Sequence, residues 1–219
     1  MRRNLALVVL VLVAACGRSA AIARTDAPPV SPEAAFWAWF AASSDRLFDF
    51  DKDRSAVFAD VSAHLKPVDV GLIFEFGPVR EGRREFVISA DGIQKAFPAV
   101  RRLAAAAPPL ARWTITAFRP RHGAYVIEMQ GRTLDPKDVK FVSRPEAGMV
   151  GLVVFLPGLT AESHDLLARM AFILLDSVLG EYDTETKVGS IAWKDAREAP
   201  ADAQPLSALA AVVDQLPAR

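Results

Sequence analysis

The chain of 219 residues has a single cysteine, Cys16, so no disulfide bond can form within it. A fold of this length without covalent crosslinks depends on a hydrophobic core for its stability. Hydrophobic residues make up 52% of the sequence, which is enough for such a core. We therefore expect one large domain or two small ones, held together by side-chain packing alone.

Cys16 also lies where a bacterial lipoprotein has its lipidated cysteine. Two arginines follow the initial methionine, an apolar run covers residues 5–13, and two alanines precede the cysteine. A charged start, a short apolar run and small residues before a cleavage point are typical of a secretory signal peptide. Residues 13–16 resemble a lipobox, at which signal peptidase II cleaves and the cysteine is acylated, with palmitate among the usual chains. We predict a lipoprotein signal peptide over residues 1–15 and lipidation at Cys16.

Other interpretations of these first residues stay open. An ordinary signal peptidase would also cleave after the two alanines and give a secreted protein, and an uncleaved anchor is a third outcome. The apolar run is shorter than the roughly 20 residues that span a bilayer. Gly17 follows the cysteine, where aspartate favours inner-membrane retention in similar lipoproteins. We expect a lipid-anchored protein of the cell envelope, on the outer membrane facing the periplasm where the host has two membranes.

The charge balance bears on the partners of the mature chain. The full sequence has 26 basic and 26 acidic residues, and the signal peptide holds two of the basic ones and none of the acidic ones. The mature part therefore carries a net charge of −2, which argues against a nucleic-acid surface. The expected partners are the membrane, through acyl chains on Cys16, and an envelope protein or a small ligand, but no nucleic acid.

The rest of the sequence divides into three parts. Residues 16–31 are mostly small, polar or proline and predict a tether between the lipid and the domain. Residues 32–195 contain periodic apolar segments that predict a single α+β domain. Residues 196–219 begin rich in proline and alanine and predict a link followed by a weak C-terminal helix.

The apolar periodicity predicts the element order ααββαββββαβα, with an antiparallel-rich mixed sheet and helices packed mainly on one face. A strand pair followed by a helix occurs twice, which suggests a pseudo-duplicated ββαβ layout. The predicted elements lie near residues 32–47, 54–65, 70–76, 84–90, 93–107, 112–119, 124–130, 139–143, 149–156, 161–179, 187–193 and 206–216. In the first helix Phe36, Trp39 and Phe40 share an apolar face, and Trp37 falls just off it.

Charged residues near the ends of the predicted strands form the first candidate site. Glu75 alternates with phenylalanines in one strand, so it faces away from the apolar side. Glu85 begins the next strand, and Arg119 and Arg121 end a third. Two carboxylates beside guanidinium groups suit general acid–base chemistry. The alternative is a surface network of cross-strand ion pairs, which contributes little to stability.

Asp176 is the other candidate because it interrupts an apolar helix. An unpaired carboxylate in that environment is costly, so it either faces solvent or has a partner such as Arg119. Residues 181–185 hold three more carboxylates, but the residue pattern of a calcium loop is absent from them. We expect no metal and no cofactor.

Motifs of several enzyme classes are missing from the sequence. The part after the cleavage point has no cysteine nucleophile beyond the acylated one, no Gly-x-Ser-x-Gly elbow, no phosphate-binding loop and no Gly-x-Gly-x-x-Gly. His64, His122 and His164 are scattered without the spacing of metal ligands. We assign no catalytic residue beyond the candidates above, and the sequence favours a protein that is not an enzyme.

Three blocks of the chain resemble an uncharacterised bacterial protein family. They are EFVISADGI at residues 85–93, AFRPR at residues 117–121 and LLDSVLGEYDTET at residues 174–186. The resemblance covers residues 36–193 and implies one domain with a recurring architecture. It implies no activity, ligand or functional residue.

These observations together favour a lipid-anchored binding or interaction domain. The alternative is an envelope hydrolase that acts on a glycan or cell-wall substrate through Glu75 or Glu85. That alternative requires both carboxylates to face one cleft at about 5–9.5 Å. A third hypothesis is an assembly factor that docks through Trp37 and Trp39, and full burial of both rings in the core would count against it.

Overall fold

The structure, a computed structural model, describes residues 30–216. The predicted signal peptide, the lipidation site at Cys16 and nearly all of the tether lie outside these residues. The chain from Ser31 onward belongs to one compact unit, and its helices and strands confirm the predicted α+β fold. Within residues 30–216, no helix is both long and apolar enough to cross a membrane.

Seven α-helices and nine strands make up the described part of the chain. The helices are α1 (Pro32–Ala42), α2 (Ser44–Phe48), α3 (Arg54–Leu65), α4 (Phe97–Ala105), α5 (His164–Leu179), α6 (Glu181–Lys187) and α7 (Leu209–Asp214). The strands are β1 (Ile73–Arg80), β2 (Arg83–Ser89), β3 (Trp113–Ala117), β4 (Ile127–Met129), β5 (Arg132–Leu134), β6 (Lys140–Glu146), β7 (Met149–Leu156), β8 (Val188–Asp195) and β9 (Gln204–Pro205).

Two halves with the same connectivity form the domain. In the first half, β1 and β2 form an antiparallel hairpin, α4 follows, and β3 pairs parallel with β2. In the second half, β6 and β7 form the hairpin, α5 and α6 follow, and β8 pairs parallel with β7. The β4–β5 hairpin lies against α5, and β9 pairs with the outer edge of β6. Each half is thus a ββαβ unit, as the sequence pattern suggests.

The first half packs its sheet against the aromatic side chains of α1. Ser31 caps this helix by accepting the backbone N–H of Ala34 at 3.2 Å. A proline follows in the first turn, where a missing N–H has no cost. Phe36 and Phe40 then contact Phe86 of β2, with ring centroids 6.1 and 4.8 Å apart. The N-terminal helix therefore starts at a strong local signal and is held in place by ring packing.

Trp37 is buried in this core, contrary to the prediction that it falls off the apolar face. Its side chain is 2% exposed, and its indole N–H donates to the carbonyl of Leu103 at 2.7 Å. The helix packs on α4 as well as on the sheet, so its buried stripe is wider than one face. Trp39 is half-buried and stacks on His64, with ring centroids 3.8 Å apart. Of the two rings in the docking hypothesis, Trp37 is therefore buried and Trp39 stays partly accessible.

The second half packs α5 and the C-terminal segment against its own sheet. Leu174 of α5 is buried on this sheet, and Leu206, Leu209 and Val213 enter the same core. The sequence predicts only a link and a weak helix for that last segment. The folded domain therefore continues past the predicted boundary at residue 195 and includes β9 and α7.

Glycine and proline explain where the elements differ from the predicted ones. Residues 181–187 form α6, although the sequence pattern predicts no element between residue 179 and the strand near residue 187. Gly180 has a φ of 77°, so the chain turns after α5 and then resumes as a helix. Helix α4 begins only at Phe97, because Pro98 fits the first turn of a helix and not its interior.

Strand β5, the partner of β4, is an element that the sequence pattern does not predict.

Candidate functional site

A cleft of about 400 Å³ opens where the two halves of the domain meet. We call it the junction cleft, because its lining comes from β1, from the segments that follow β2 and β3, and from α5. The lining includes Glu75, Asp91, Arg119, Tyr125, Arg169, Phe172 and Asp176. Three residues singled out in the sequence, Glu75, Arg119 and Asp176, therefore lie in one cleft.

Arg119 is the centre of the polar part of this cleft. Its Nε donates to Glu75, and its Nη2 donates to Asp91 Oδ1 at 2.9 Å. Burial alone would lower the pKa of the Arg119 guanidinium, but the hydrogen bonds to Glu75 and Asp91 raise it above its usual value. Two carboxylates thus neutralise a cation that is only 22% exposed. The predicted pairing of a strand carboxylate with Arg119 is present, and Asp91 is an additional partner.

The backbone at Phe118 directs Arg119 out of the sheet. Phe118 has a φ of 65°, a left-handed conformation that bulky residues rarely adopt. Its N–H donates to the carbonyl of Ile88 at 2.7 Å, and its ring lies 4.6 Å from that of Phe97 and 5.1 Å from that of Tyr182. Such a conformation costs on the order of 1–3 kcal/mol, which these contacts offset. Strand β3 therefore ends earlier than the sequence predicts.

Glu181 holds the two backbone segments that carry the polar residues of the cleft. Its side chain is fully buried at the start of α6. One carboxylate oxygen accepts the backbone N–H groups of Ala90 and Gly92 at 2.9 and 3.2 Å. The other oxygen accepts the N–H of Arg119 at 3.1 Å. This one side chain, which in the sequence is only one of several clustered carboxylates, thus positions both Asp91 and Arg119.

Gly180 makes this contact sterically possible. A Cβ atom added at Gly180 would lie 3.1 Å from the carbonyl oxygen of Arg119 and 3.4 Å from the backbone nitrogen of Arg121. The positive φ of Gly180 adds a second reason for glycine at this position. The N–H of Glu181 then donates to the Arg119 carbonyl at 3.0 Å, which joins α6 to the segment after β3.

Asp176 lies on the face of α5 that lines the cleft. Burial raises its pKa to about 6. The charge on Arg119 and a hydrogen bond with Thr184 lower this pKa, whereas the charges on Glu181 and Glu185 add to the rise. The carboxyl group therefore changes protonation close to neutral pH. Groups with such displaced pKa values are found preferentially at functional sites.

Three more exposed side chains line the junction cleft, together with Pro120, His122, Ile173 and Ser177. Tyr125 is 51% exposed and Phe172 is 45% exposed, and Phe172 packs edge-on against Trp193 with ring centroids 5.3 Å apart. Arg169 is also exposed, and no carboxylate among residues 30–216 pairs with it. The cleft therefore contains one arginine that is neutralised and one that is not.

Glu85 lies on the same sheet face as Glu75 but in a neighbouring cleft. The register pairs Glu75 with Val87, two residues after Glu85, so all three side chains point to one face. Glu85 accepts a hydrogen bond from the Thr116 hydroxyl and lines a second cleft beside Arg80. The two glutamates therefore share one face of the sheet and line adjoining clefts, both of which are bounded by Pro120 and His122.

Arg121 and the acidic residues of α6 form contacts that stabilise the domain. The Arg121 guanidinium pairs with Asp214 of α7 at 2.7 Å and with Asp183 of α6 at 2.5 Å. Hydrogen bonding to Asp214 raises the pKa of Arg121. Asp183 also pairs with Lys187 at 3.0 Å. In the part of the chain that the structure describes, no group of three potential ligands is arranged to hold a metal ion.

Asp91, Tyr125, Arg169 and Phe172 are residues of the junction cleft that are not among the site candidates from the sequence. Asp91 lies in an Asp-Gly pair, which marks a turn but gives no sign of a site. Arg169, Phe172 and Asp176 are spaced three and four residues apart, so they share one face of a helix, and this signal was present in the sequence. Tyr125 lies in an irregular segment whose path depends on tertiary contacts.

No protein-family model, curated protein or solved structure matches this chain. The fold and the site define an α+β domain with a polar cleft between two ββαβ halves. Its function therefore has to be inferred from the chemistry of that cleft and from the sequence around Cys16.

Proposed function

We propose that this protein is a lipid-anchored component of the cell envelope whose domain binds a small ligand in the junction cleft. The observation that carries the proposal is the unequal charge pairing in the cleft. Arg119 is neutralised by Glu75 and Asp91, whereas Arg169 has no carboxylate partner among residues 30–216. A concave site lined by rings and a few polar groups is typical of small-ligand binding. This shape favours a small ligand over an envelope protein as the partner.

The proposed location rests on the sequence around Cys16. A short apolar run and a lipobox-like cut support acylation of this cysteine. One acyl chain anchors a protein only marginally, so stable attachment requires more than one chain. Anchoring would keep the cleft within reach of molecules at the surface of the membrane.

Membrane fractionation tests the anchor. We expect the wild-type protein in the membrane fraction and the Cys16→Ser variant in the soluble fraction or as an unprocessed precursor. Mass spectrometry of the N-terminal peptide should detect acyl chains on Cys16 in the wild type only. An equal membrane share for both proteins would contradict the proposed anchor.

A photo-crosslinker in the cleft tests ligand binding. Tyr125 is half exposed, so replacing it by p-benzoyl-phenylalanine leaves the two cores intact. Val70 is 87% exposed and lies outside the cleft, so the same replacement there is the control. After irradiation of cells, we expect a defined mass increase for the probe at position 125 and none at position 70. No adduct at position 125, or the same adduct at both positions, would contradict ligand binding in the cleft.

Asp176 favours hydrolysis of a glycan or cell-wall polymer as a second candidate function. A carboxyl group with a pKa of about 6 is suited to donate a proton near neutral pH. Glu75, which lines the same cleft, would act as the base or nucleophile. Assays of reducing ends released from cell-wall glycan test this candidate. Asp176→Asn and Glu75→Gln should abolish turnover and Glu85→Gln should preserve it, and turnover that survives Asp176→Asn rules the mechanism out.

A further inference from the structure

The junction cleft offers a ligand apolar surface from two aromatic side chains. The rings of Tyr125 and Phe172 are about half exposed, although side chains of this kind bury large areas when a partner is present. The contact with Trp193 supports the ring of Phe172 from one side. A ligand with a flat C–H face or an aromatic ring would cover this surface.

The same cleft offers hydrogen-bond acceptors that are not saturated by Arg119. Each ion pair of Arg119 uses one carboxylate oxygen, Oε1 of Glu75 and Oδ1 of Asp91. These two side chains remain 45% and 63% exposed, and their second oxygens accept no hydrogen bond from residues 30–216. Asp176 adds a third carboxyl group to the lining. A ligand that fits these groups must present several hydroxyl or amide donors, as a sugar ring does.

Arg169 supplies the third kind of contact. Its guanidinium is exposed in the cleft without a carboxylate partner among residues 30–216. A planar guanidinium binds a carboxylate through two parallel hydrogen bonds, which adds specificity as well as affinity. The ligand is therefore expected to carry an acidic group on the side that faces α5.

We propose that the junction cleft binds a saccharide that carries a carboxylate group, with its ring against Tyr125 and Phe172, its hydroxyl groups on Asp91 and Asp176, and its carboxylate on Arg169. The inference rests on the proposed small-ligand function and specifies the class of that ligand. A neutral sugar leaves Arg169 without an anion, and an aromatic acid leaves the carboxylates of the cleft without donors. A neutral sugar and an aromatic acid would therefore each make fewer contacts in the cleft than an acidic sugar would.

Isothermal titration calorimetry tests whether the ligand is an acidic saccharide. The protein is the mature chain with the Cys16→Ser substitution, and the probes are two matched sugars. N-acetylmuramic acid and N-acetylglucosamine differ only in a lactyl ether that bears the carboxylate. We expect the acidic sugar to bind at least tenfold more tightly, and benzoate, an acid without hydroxyl groups, to show no saturable binding. The Arg169→Gln variant should lose the preference between the sugars. Arg132→Gln, at another exposed arginine outside the cleft, should retain it.

Each contrary outcome has a distinct meaning. Equal affinity for the two sugars, or a preference that survives Arg169→Gln, overturns the role of the carboxylate. Benzoate binding as tight as that of the acidic sugar overturns the saccharide, and no binding of any probe overturns the whole inference. An adduct from the crosslinker at position 125 without sugar binding means that only the ligand class is wrong. The absence of that adduct as well means that the proposed function is wrong.

Discussion

Asp176 lowers the stability of the fold at neutral pH. Because burial raises its pKa from 3.8 to about 6, the folded protein holds this proton more tightly than the unfolded chain does. The stability that the proton contributes is present at low pH and is lost as the pH rises from 3.8 through about 6. Because the Asp176 side chain is partly exposed, solvent screens its interactions, and we expect a loss of about 1 kcal/mol of unfolding free energy. A carboxylate kept in a cleft at such a cost is common at functional sites.

We predict that Asp176→Asn stabilises the domain at pH 7.5, raising the midpoint of thermal unfolding by roughly 2–4 °C. The rise should be smaller at pH 4.5, where the wild-type carboxyl is already protonated in the folded state. Asp165→Asn, at an exposed position on the same helix, should give no such rise. Thermal scans by circular dichroism at both pH values would measure the difference, and an equal rise at both would contradict the assigned cause.

Glu181 affects the free energy of unfolding more strongly than Asp176 does. It is buried, and its carboxylate accepts hydrogen bonds from three backbone N–H groups. In Glu181→Gln, an amide N–H₂ group replaces one acceptor oxygen and meets backbone N–H groups that need an acceptor. We expect a loss of about 2–4 kcal/mol of unfolding free energy for the first half, measured by urea titration with tryptophan fluorescence in the Trp193→Phe background. Glu185→Gln is the matched control on the same helix, where the carboxylate accepts mainly from Gln94. If both variants lost a similar, small amount of unfolding free energy, the buried hydrogen bonds of Glu181 would not be a major source of stability.

The C-terminal segment is an element whose importance emerges only from tertiary packing. Leu209 is fully buried in the second core, although the helix that carries it is only six residues long. We predict that Leu209→Ala costs about 2–5 kcal/mol of unfolding free energy, because it leaves a cavity in a packed core. Ala211→Ser, on the exposed side of the same helix, should change the urea midpoint very little. A small effect of Leu209→Ala would place this helix outside the cooperative domain.

Some elements can be predicted from the pattern of neighbouring residues, and others depend on contacts with distant parts of the chain. Alternation in β1 and the apolar run of α5 are local patterns, so the sequence alone predicts both ββαβ units. The short helix α6 is polar and forms because Glu181 finds partners far away in the chain. Helix α7 is predicted as a weak helix, and its place in the domain depends on the burial of Leu209 in the second core. The same distinction explains the candidate site. Glu75 and Arg119 were predictable from strand ends, whereas Asp91 meets them only through the fold.

Across the whole molecule, polar and aromatic contacts join two separate hydrophobic cores. The first core lies under β1 to β3 and the second under β6 to β9. Helix α6 follows the main helix of the second half, yet Tyr182 packs on Phe97 and Phe118 of the first. Glu181 adds hydrogen bonds to the first half from the same helix. The junction cleft therefore lies at the boundary on which the mutual orientation of the halves depends.

We predict that these contacts make the two halves unfold together. Three of the four tryptophans, Trp37, Trp39 and Trp113, lie in the first half, so fluorescence of the Trp193→Phe variant reports on that half alone. Circular dichroism reports on both halves, and the two urea transitions should coincide in this variant. Adding Glu181→Gln should separate them, because it removes hydrogen bonds that cross the boundary. Transitions that differ already in the Trp193→Phe protein would show that the halves fold independently, with a cleft between two loosely joined units.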